Sequence, residues 1–392
     1  MRRKTLYLAC GIIVIFVLIS AGISVVLQLN NVPGESDLSD ELFSSIVYGG
    51  NYLVNVTNTD GSFIYEYNAA SDTENEGYNI LRHAGTVYSM LQVYDETGDT
   101  HLLTAAESAI EFLLSFLKPF DNGSSQVIVY QDEVKLGGNA LAIIALAEHA
   151  KVTDNKEYVG VMQGLAKFIE FSQKDSGEFI SKRYYSTGII DSFVSQYYPG
   201  EAILALCRLY SLDGNETWLD VAEKATQYLI DQRKNIETVN LVHDHWLLMA
   251  MNELYRFRDN SSYFTHSMDL AESIMYQQRD GVNRISEQSE WLGSYYTPPG
   301  TTSTATRSEA LVAAYHLSND FGERNMTEKI LNAVDLGVKF QLTTQFTPDN
   351  IQSLPNPSKA VGGFHNTLTD YTIRIDYVQH NICSILGYYR II

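Results

Sequence analysis

Apolar positions recur at helical spacing in twelve stretches of this chain, and short polar turns join most of them in pairs. The turns are Gly98-Asp99, Asp154-Asn155, Gly214-Asn215, Asp259-Asn260 and Glu323-Arg324-Asn325. Each follows one apolar run and precedes another, at spacings of roughly 45 to 65 residues. The pattern predicts paired helices over 82–94 and 101–117, 139–150 and 156–173, 201–211 and 217–233, 244–257 and 263–278, and 308–319 and 327–340. One further helix precedes these pairs, from about Asp40 to about Thr57, and one follows, over 379–390. These two would pair with each other.

The first member of each pair is apolar nearly all round, as in Ala140-Leu141-Ala142-Ile143-Ile144-Ala145-Leu146-Ala147. A helix apolar on every side is buried on every side. The second member is amphipathic: Trp218, Val221, Ala222, Ala225 and Leu229 alternate with Asp220, Glu223 and Lys224. First members therefore form an inner ring and second members an outer one, which is an all-α (α/α)6 toroid of six helical hairpins. Connections between hairpins are long and rich in Gly, Tyr and Thr, over 58–81, 175–199, 279–307 and 343–375. Loops of that length in a compact domain are usually functional, and these all reach the N-terminal end of the inner helices. Several begin alike, with Asp60-Gly61-Ser62-Phe63, Ser176-Gly177-Glu178-Phe179 and Val361-Gly362-Gly363-Phe364. No strand-like alternation is visible.

Aligning the inner helices by their apolar runs brings His83, Asn139, Glu201, His245, Glu309 and His380 (or Asn381) to equivalent positions. Such a polar ring at helix N-termini, where N–H groups are unpaired, suits anionic groups or sugar oxygens. Simple capping is the alternative, although Glu and His are poor caps. Flanking residues add Arg82, Asp244, Trp246, Arg307, Arg374, Asp376, Tyr377 and Gln379 to the same mouth. Tyr65, Tyr67, Tyr78, Tyr184, Tyr185, Tyr197, Tyr198, Tyr295 and Tyr296 cluster in its loops, where a ring with a polar tip is a platform for a pyranose face. His243 and His245 raise the question of a metal, but no zinc-ligand, phosphate-loop, nucleophile-elbow or Asp-rich motif is present, and no metal or cofactor is expected.

Composition changes the picture at the N-terminus. Three positive charges in residues 1–4 precede an almost uncharged run, Leu6 to Leu29, of about 24 residues, enough to span a bilayer. The expected organisation is a cytoplasmic tail (1–4), a transmembrane signal-anchor (5–29), a linker (30–39) and the toroid (40–392), with the bulk of the chain extracytoplasmic on a single-pass cell-membrane anchor. A cleaved signal is the alternative. Beyond residue 4 the balance is 24 basic to 47 acidic residues, a surface that repels nucleic acid. With three cysteines, one of them in the apolar run, there is no disulfide framework. Sequons at Asn55, Asn122, Asn215, Asn260 and Asn325 are compatible with an extracellular glycoprotein.

With its helix count, inner and outer alternation and loop-rich mouth, the stretch 40–392 resembles the (α/α)6-toroid carbohydrate-active enzymes. These are the six-hairpin glycosidases, the N-acylglucosamine 2-epimerase-like proteins and the glucuronyl C5-epimerases. Asp376-Tyr377-Val378-Gln379-His380 is similar to a segment near the end of the last group. The resemblance implies an oligo- or polysaccharide substrate and a site at the mouth. A glycoside hydrolase would draw an acid/base pair from Glu201, Asp244, Glu309 and Asp376, with Glu201 the proton donor. A uronate or N-acyl-sugar epimerase, or a polysaccharide lyase, would use His83, His245, His380 or Tyr377 with a cation from Arg82, Arg307 or Arg374. Asn139, Tyr197, Trp246 and Gln379 would bind substrate in either case. A non-catalytic glycan-binding toroid is the third possibility.

Overall fold

The computed structural model describes residues 35–285, 288–322 and 324–392. By its internal contacts the chain divides into residues 1–44 and 45–392, and the second unit carries the ring described below. Helix α1 (Glu35–Asn55) crosses that boundary, so the expected linker over 30–39 is already helical from Glu35. The expected membrane span, 5–29, lies outside the described residues. Among the described residues no helix is long and apolar enough to cross a membrane.

Eleven long helices follow: α2 (Ile80–Thr97), α3 (Thr100–Leu114), α4 (Leu136–Thr153), α5 (Val159–Phe171), α6 (Tyr198–Asp213), α7 (Glu216–Arg233), α8 (His245–Phe257), α9 (Ser261–Gln277), α10 (Thr301–Phe321), α11 (Arg324–Leu342) and α12 (Ile375–Tyr389). A one-turn helix, Pro357–Ala360, precedes α12. The even-numbered helices pack as a closed ring, α2 on α4, α4 on α6, α6 on α8, α8 on α10, α10 on α12 and α12 back on α2. From α2 to α10 each also packs against the odd-numbered helix that follows it. The ring closes as expected: a side chain at Gly49 of α1 would stand 2.7 Å from Ile382 of α12, and Gln345 donates to the Ser45 carbonyl at 2.9 Å.

The hairpin turns have a local cause. Gly98 and Gly214 end their helices at φ 67° and 69°, a left-handed conformation that a Cβ disfavours. The next residue then caps the outer helix: Asp99 accepts from the His101 amide at 3.0 Å and Asn215 from Thr217 at 3.2 Å. Asn260 caps α9 in the same way, through the Ser262 amide at 3.0 Å.

The loops that begin alike also share a mechanism. A Cβ at Gly61 would meet the Ser108 carbonyl of α3 at 2.1 Å, and one at Gly177 the Lys224 carbonyl of α7 at 2.4 Å, both at positive φ. Each glycine thus lets its loop lie against the backbone of the next outer helix.

The inter-hairpin segments are not strand-free, contrary to the sequence reading. They form β1 (Glu66–Asn68), β2 (Thr73–Glu74), β3 (Leu117–Phe120), β4 (Ser125–Ile128), β5 (Glu133–Lys135), β6 (Lys182–Tyr184) and β7 (Thr372–Arg374). All pair antiparallel, in the orders β2-β1-β7, β3-β4 and β5-β6. At two to four residues each, they are too short for alternation to register.

Burial sets the acid response of the fold. His83, His243 and His266 are enclosed, and burial pulls each from 6.5 to about 4. Between those values the unfolded chain binds more protons than the folded one, so stability falls as pH drops from 6.5 toward 4. His83 alone contributes about 3 kcal/mol to that loss. Glu201, raised from 4.5 to about 8, acts the other way and costs stability as pH rises through that window. Unfolding midpoints measured against pH are expected to peak near neutrality and fall steeply below pH 6.5.

Candidate active site

At the N-terminal end of the inner helices lies a cavity of about 490 Å³. Its wall includes Arg82 from α2, Tyr197, Tyr198 and Glu201 at the start of α6, and His243, His245 and Trp246 at the start of α8. Tyr296, Thr302, Ser303, Thr306 and Arg307 come from α10 and the loop before it. Arg374, Asp376, Gln379 and His380 complete it from α12 and its approach.

Two imidazoles dominate its floor. The rings of His245 and His380 sit 5.3 Å apart between centroids, nearly perpendicular at 81°. His380 Nδ1 is 2.7 Å from Glu309 Oε2. Burial alone would lower the His380 pKa, but the Glu309 charge and hydrogen bond outweigh it and raise it above 6.5. His245 is 8% exposed, and its Nε2 has no hydrogen-bond partner. Burial, then the charges of His380 and Arg307, hold His245 well below 6.5. The two neighbouring imidazoles are thereby shifted in opposite directions from their ordinary pKa, His245 down and His380 up.

Glu201 is protonated near neutral pH. It is 5% exposed, Oε2 has no partner, and burial followed by the Asp244 charge raises its pKa to about 8. Its space exists because residue 137 is glycine. A Cβ there would stand 2.2 Å from Glu201 Oε2 and 2.4 Å from the Tyr198 ring. On the opposite side Asp376 binds Arg82 Nε at 3.0 Å and is gripped twice by Arg374, whose guanidinium lies over the Tyr377 ring at 4.3 Å. Arg82 also donates to the Tyr65 hydroxyl.

Not every predicted residue reaches the cavity. His83 turns outward, with Nδ1 at 2.7 Å from the Tyr78 hydroxyl and Nε2 at 2.8 Å from the Ala109 carbonyl of α3. Asn139 is fully buried and tied to backbone, accepting from the Ile128 amide and donating to the Lys135 carbonyl. Asp244 caps α8 through the Leu247 amide and pairs with Arg233 of α7 at 3.1 Å. Tyr377 packs beneath Arg374, outside the cavity wall. Glu309 lies behind His380, lining a second space of about 200 Å³ farther down the inner helices. Helix α10 begins at Thr301, seven residues before the predicted Ser308, which sets Glu309 about 12 Å below its first residue.

His243, which the sequence offers only as a candidate metal ligand beside His245, belongs to the cavity wall. Its Nδ1 accepts from Arg307 Nε at 2.7 Å, which fixes a neutral ring with Nε2 toward Ser273 Oγ at 3.3 Å. Only its nearness to His245 in sequence hinted at it. Tyr198 and Tyr296, which the sequence shows only as members of tyrosine clusters, also line the cavity. One ligand-type atom each from His245, Glu309 and His380 lies within 4.8 Å of the others, but the Glu309 oxygen is already engaged by His380.

No protein-family model matches the chain, and no curated protein matches its sequence. Solved structures do match in fold. A D-mannose isomerase superposes with a TM-score of 0.66 at 12% identity, over 92% of this chain and 98% of its own. The cellobiose 2-epimerase of Bacillus thermoamylovorans gives 0.68 at 14% identity, over 91% and 100%. The GH76A α-1,6-mannanase of Salegentibacter sp. HEL1_6 gives 0.62 at 13%, over 90% and 98%. The chain therefore has the (α/α)6-toroid fold that these proteins share.

Proposed function

We propose that this protein is a carbohydrate-active enzyme that removes the C2 proton of a reducing sugar and returns a proton to C1 or C2, as an aldose–ketose isomerase or a 2-epimerase. The observation that carries the reading is the pair His245 and His380, adjacent at 5.3 Å, with pKa values pushed apart, down for His245 and up for His380. Titratable neighbours whose environments push their pKa values apart are what acid–base chemistry at one centre requires. Neutral His245 takes the C2 proton while the His380 imidazolium, steadied by Glu309, protonates the adjoining carbonyl oxygen. The enediol collapses as the His245 imidazolium returns a proton to carbon and neutral His380 takes back a hydroxyl proton: C1 protonation with loss of the O2 proton gives the ketose, and C2 protonation with loss of the O1 proton gives either C2 epimer.

The other cavity groups fit the same chemistry. Protonated Glu201 supplies the acid that opens the cyclic hemiacetal at its ring oxygen. The rigid Arg82–Asp376–Arg374 cluster offers donors and acceptors to sugar hydroxyls. Tyr197, Trp246 and Tyr296 offer ring faces. Two of the fold neighbours are named for isomerising mannose and for epimerising cellobiose at C2. We also place the toroid outside the cytoplasm, tethered by the apolar stretch 5–29, as the charge pattern of residues 1–4 implies.

Glycoside hydrolysis is the second reading, favoured by a protonated Glu201 in the same cavity as Asp376 and by the mannanase neighbours. It is weaker because Asp376 is gripped by two arginines, which makes it a poor base or nucleophile. Incubation with a panel of neutral and acidic mono- and oligosaccharides separates the two. The proposal predicts a ketose or C2 epimer at unchanged chain length, and shortened chains with new reducing ends would overturn it.

A further inference from the structure

We propose that Arg307 is an anion anchor and that the cavity takes a sugar bearing a carboxylate or phosphate group, an inference that rests on the cavity being a saccharide site but not on proton transfer. Arg307 is 8% exposed and lines the cavity. Every partner it has among the described residues is neutral. Nε donates to His243 Nδ1 at 2.7 Å, Nη1 to the Ser303 carbonyl at 2.7 Å, and Nη2 to the Tyr296 hydroxyl. Its guanidinium carbon lies 5.0 Å from the Tyr295 ring centre and 4.6 Å from that of Tyr296.

The remaining charges at this mouth are answered from within. Arg82 and Arg374 share Asp376, Arg374 also approaches Glu66 at 3.7 Å, and His380 has Glu309. Among the described residues Arg307 is left as a buried cation without an ion-pair partner, an arrangement that is costly unless an anion arrives. Of its five N–H groups, three are committed by these bonds, leaving donors for a planar or tetrahedral oxyanion. The chain as a whole carries −20, so a local positive centre is what would draw an acidic sugar into this cavity. A space of about 490 Å³ has room for one or two sugar units.

The test is calorimetric titration of the full-length protein with glucose, glucuronate, glucose 6-phosphate and inorganic sulfate. At least one acidic sugar is expected to bind tenfold or more tightly than glucose, and to lose that advantage in Arg307→Gln while keeping most of it in Arg307→Lys. The carboxylate and phosphate arms identify which anion is read, and sulfate binding as tightly as either acidic sugar would mean that a free anion, not a sugar, is the ligand and would overturn the proposal. So would glucose binding as tightly as both acidic sugars, or a preference that survives Arg307→Gln. Should the glutamine variant not fold, abolition of the acidic preference by added salt in the wild type serves instead, and a salt-independent preference counts against the anchor. Turnover scored on the same samples keeps the two ideas apart. Isomerisation of neutral sugars without acidic preference sinks the anchor alone, whereas Arg307-dependent acidic binding without any proton shift sinks only the proposed reaction.

Discussion

Replacing either His245 or His380 with asparagine is expected to lower turnover by roughly 10²–10⁴-fold while the fold and sugar binding persist, the usual contribution of a positioned acid or base. The two losses should differ in their pH profiles. In the wild type the acid limb belongs to His245 and lies well below pH 6.5, since burial and two nearby cations depress it. The alkaline limb includes His380, whose pKa is raised above 6.5 by Glu309. His380→Asn should therefore flatten the His380 part of the alkaline limb, and His245→Asn the acid limb. Nitrogen-15 NMR of labelled histidines, assigned with the same variants, should find one ring neutral and the other doubly protonated at pH 7. If both titrate together near 6.5, the opposed pair does not exist.

The next largest effect is expected from Glu309→Gln, although this residue is outside the cavity. It removes the charge that raises the His380 pKa and leaves that imidazole without its counter-charge. His380 should then titrate below its ordinary value, and activity at neutral pH should fall by about 100-fold, with partial recovery on acidification. Breaking a buried pair from one side also costs about 3–5 kcal/mol, softened here because His380 can discharge. Denaturant unfolding and a pH–rate profile on one preparation check both halves. A variant with normal activity at pH 7.5 would show that Glu309 does not set the state of His380.

Much of this architecture was legible in the chain. The all-round apolar run of α4 against the one-sided pattern of α7 separated inner from outer helices, because burial on all sides removes the need for a polar face. Gly98-Asp99 and Gly214-Asn215 marked hairpins through a left-handed cap followed by a side-chain cap, both local effects of residue type. The site was harder to read. Alignment by apolar run gives height along a helix but not the direction of a side chain, so His83 and Asn139 looked equivalent to Glu201 and His245. In the fold they face the outer layer and the β4–β5 connection instead. The sequence places the start of α10 too late because Thr301 to Thr306 holds hardly any apolar residue, although Ser303 and Thr304 donate to the Gly300 carbonyl at its N-cap. That error put Glu309 at the mouth. The neutral partners of Arg307 come from α10 itself, the loop before it and the approach to α8, and no short-range pattern joins them.

The most direct measurement is proton NMR of a reducing sugar incubated with the enzyme in deuterium oxide, using the acidic or neutral sugar that binds best. A proton shift through His245 predicts deuterium at C2 of recovered substrate, or at C1 or C2 of the ketose or epimer, absent in the His245→Asn variant. Conversion with full retention of the C2 proton and no deuterium at C1 or C2, or cleavage of the glycan without any exchange, would contradict it.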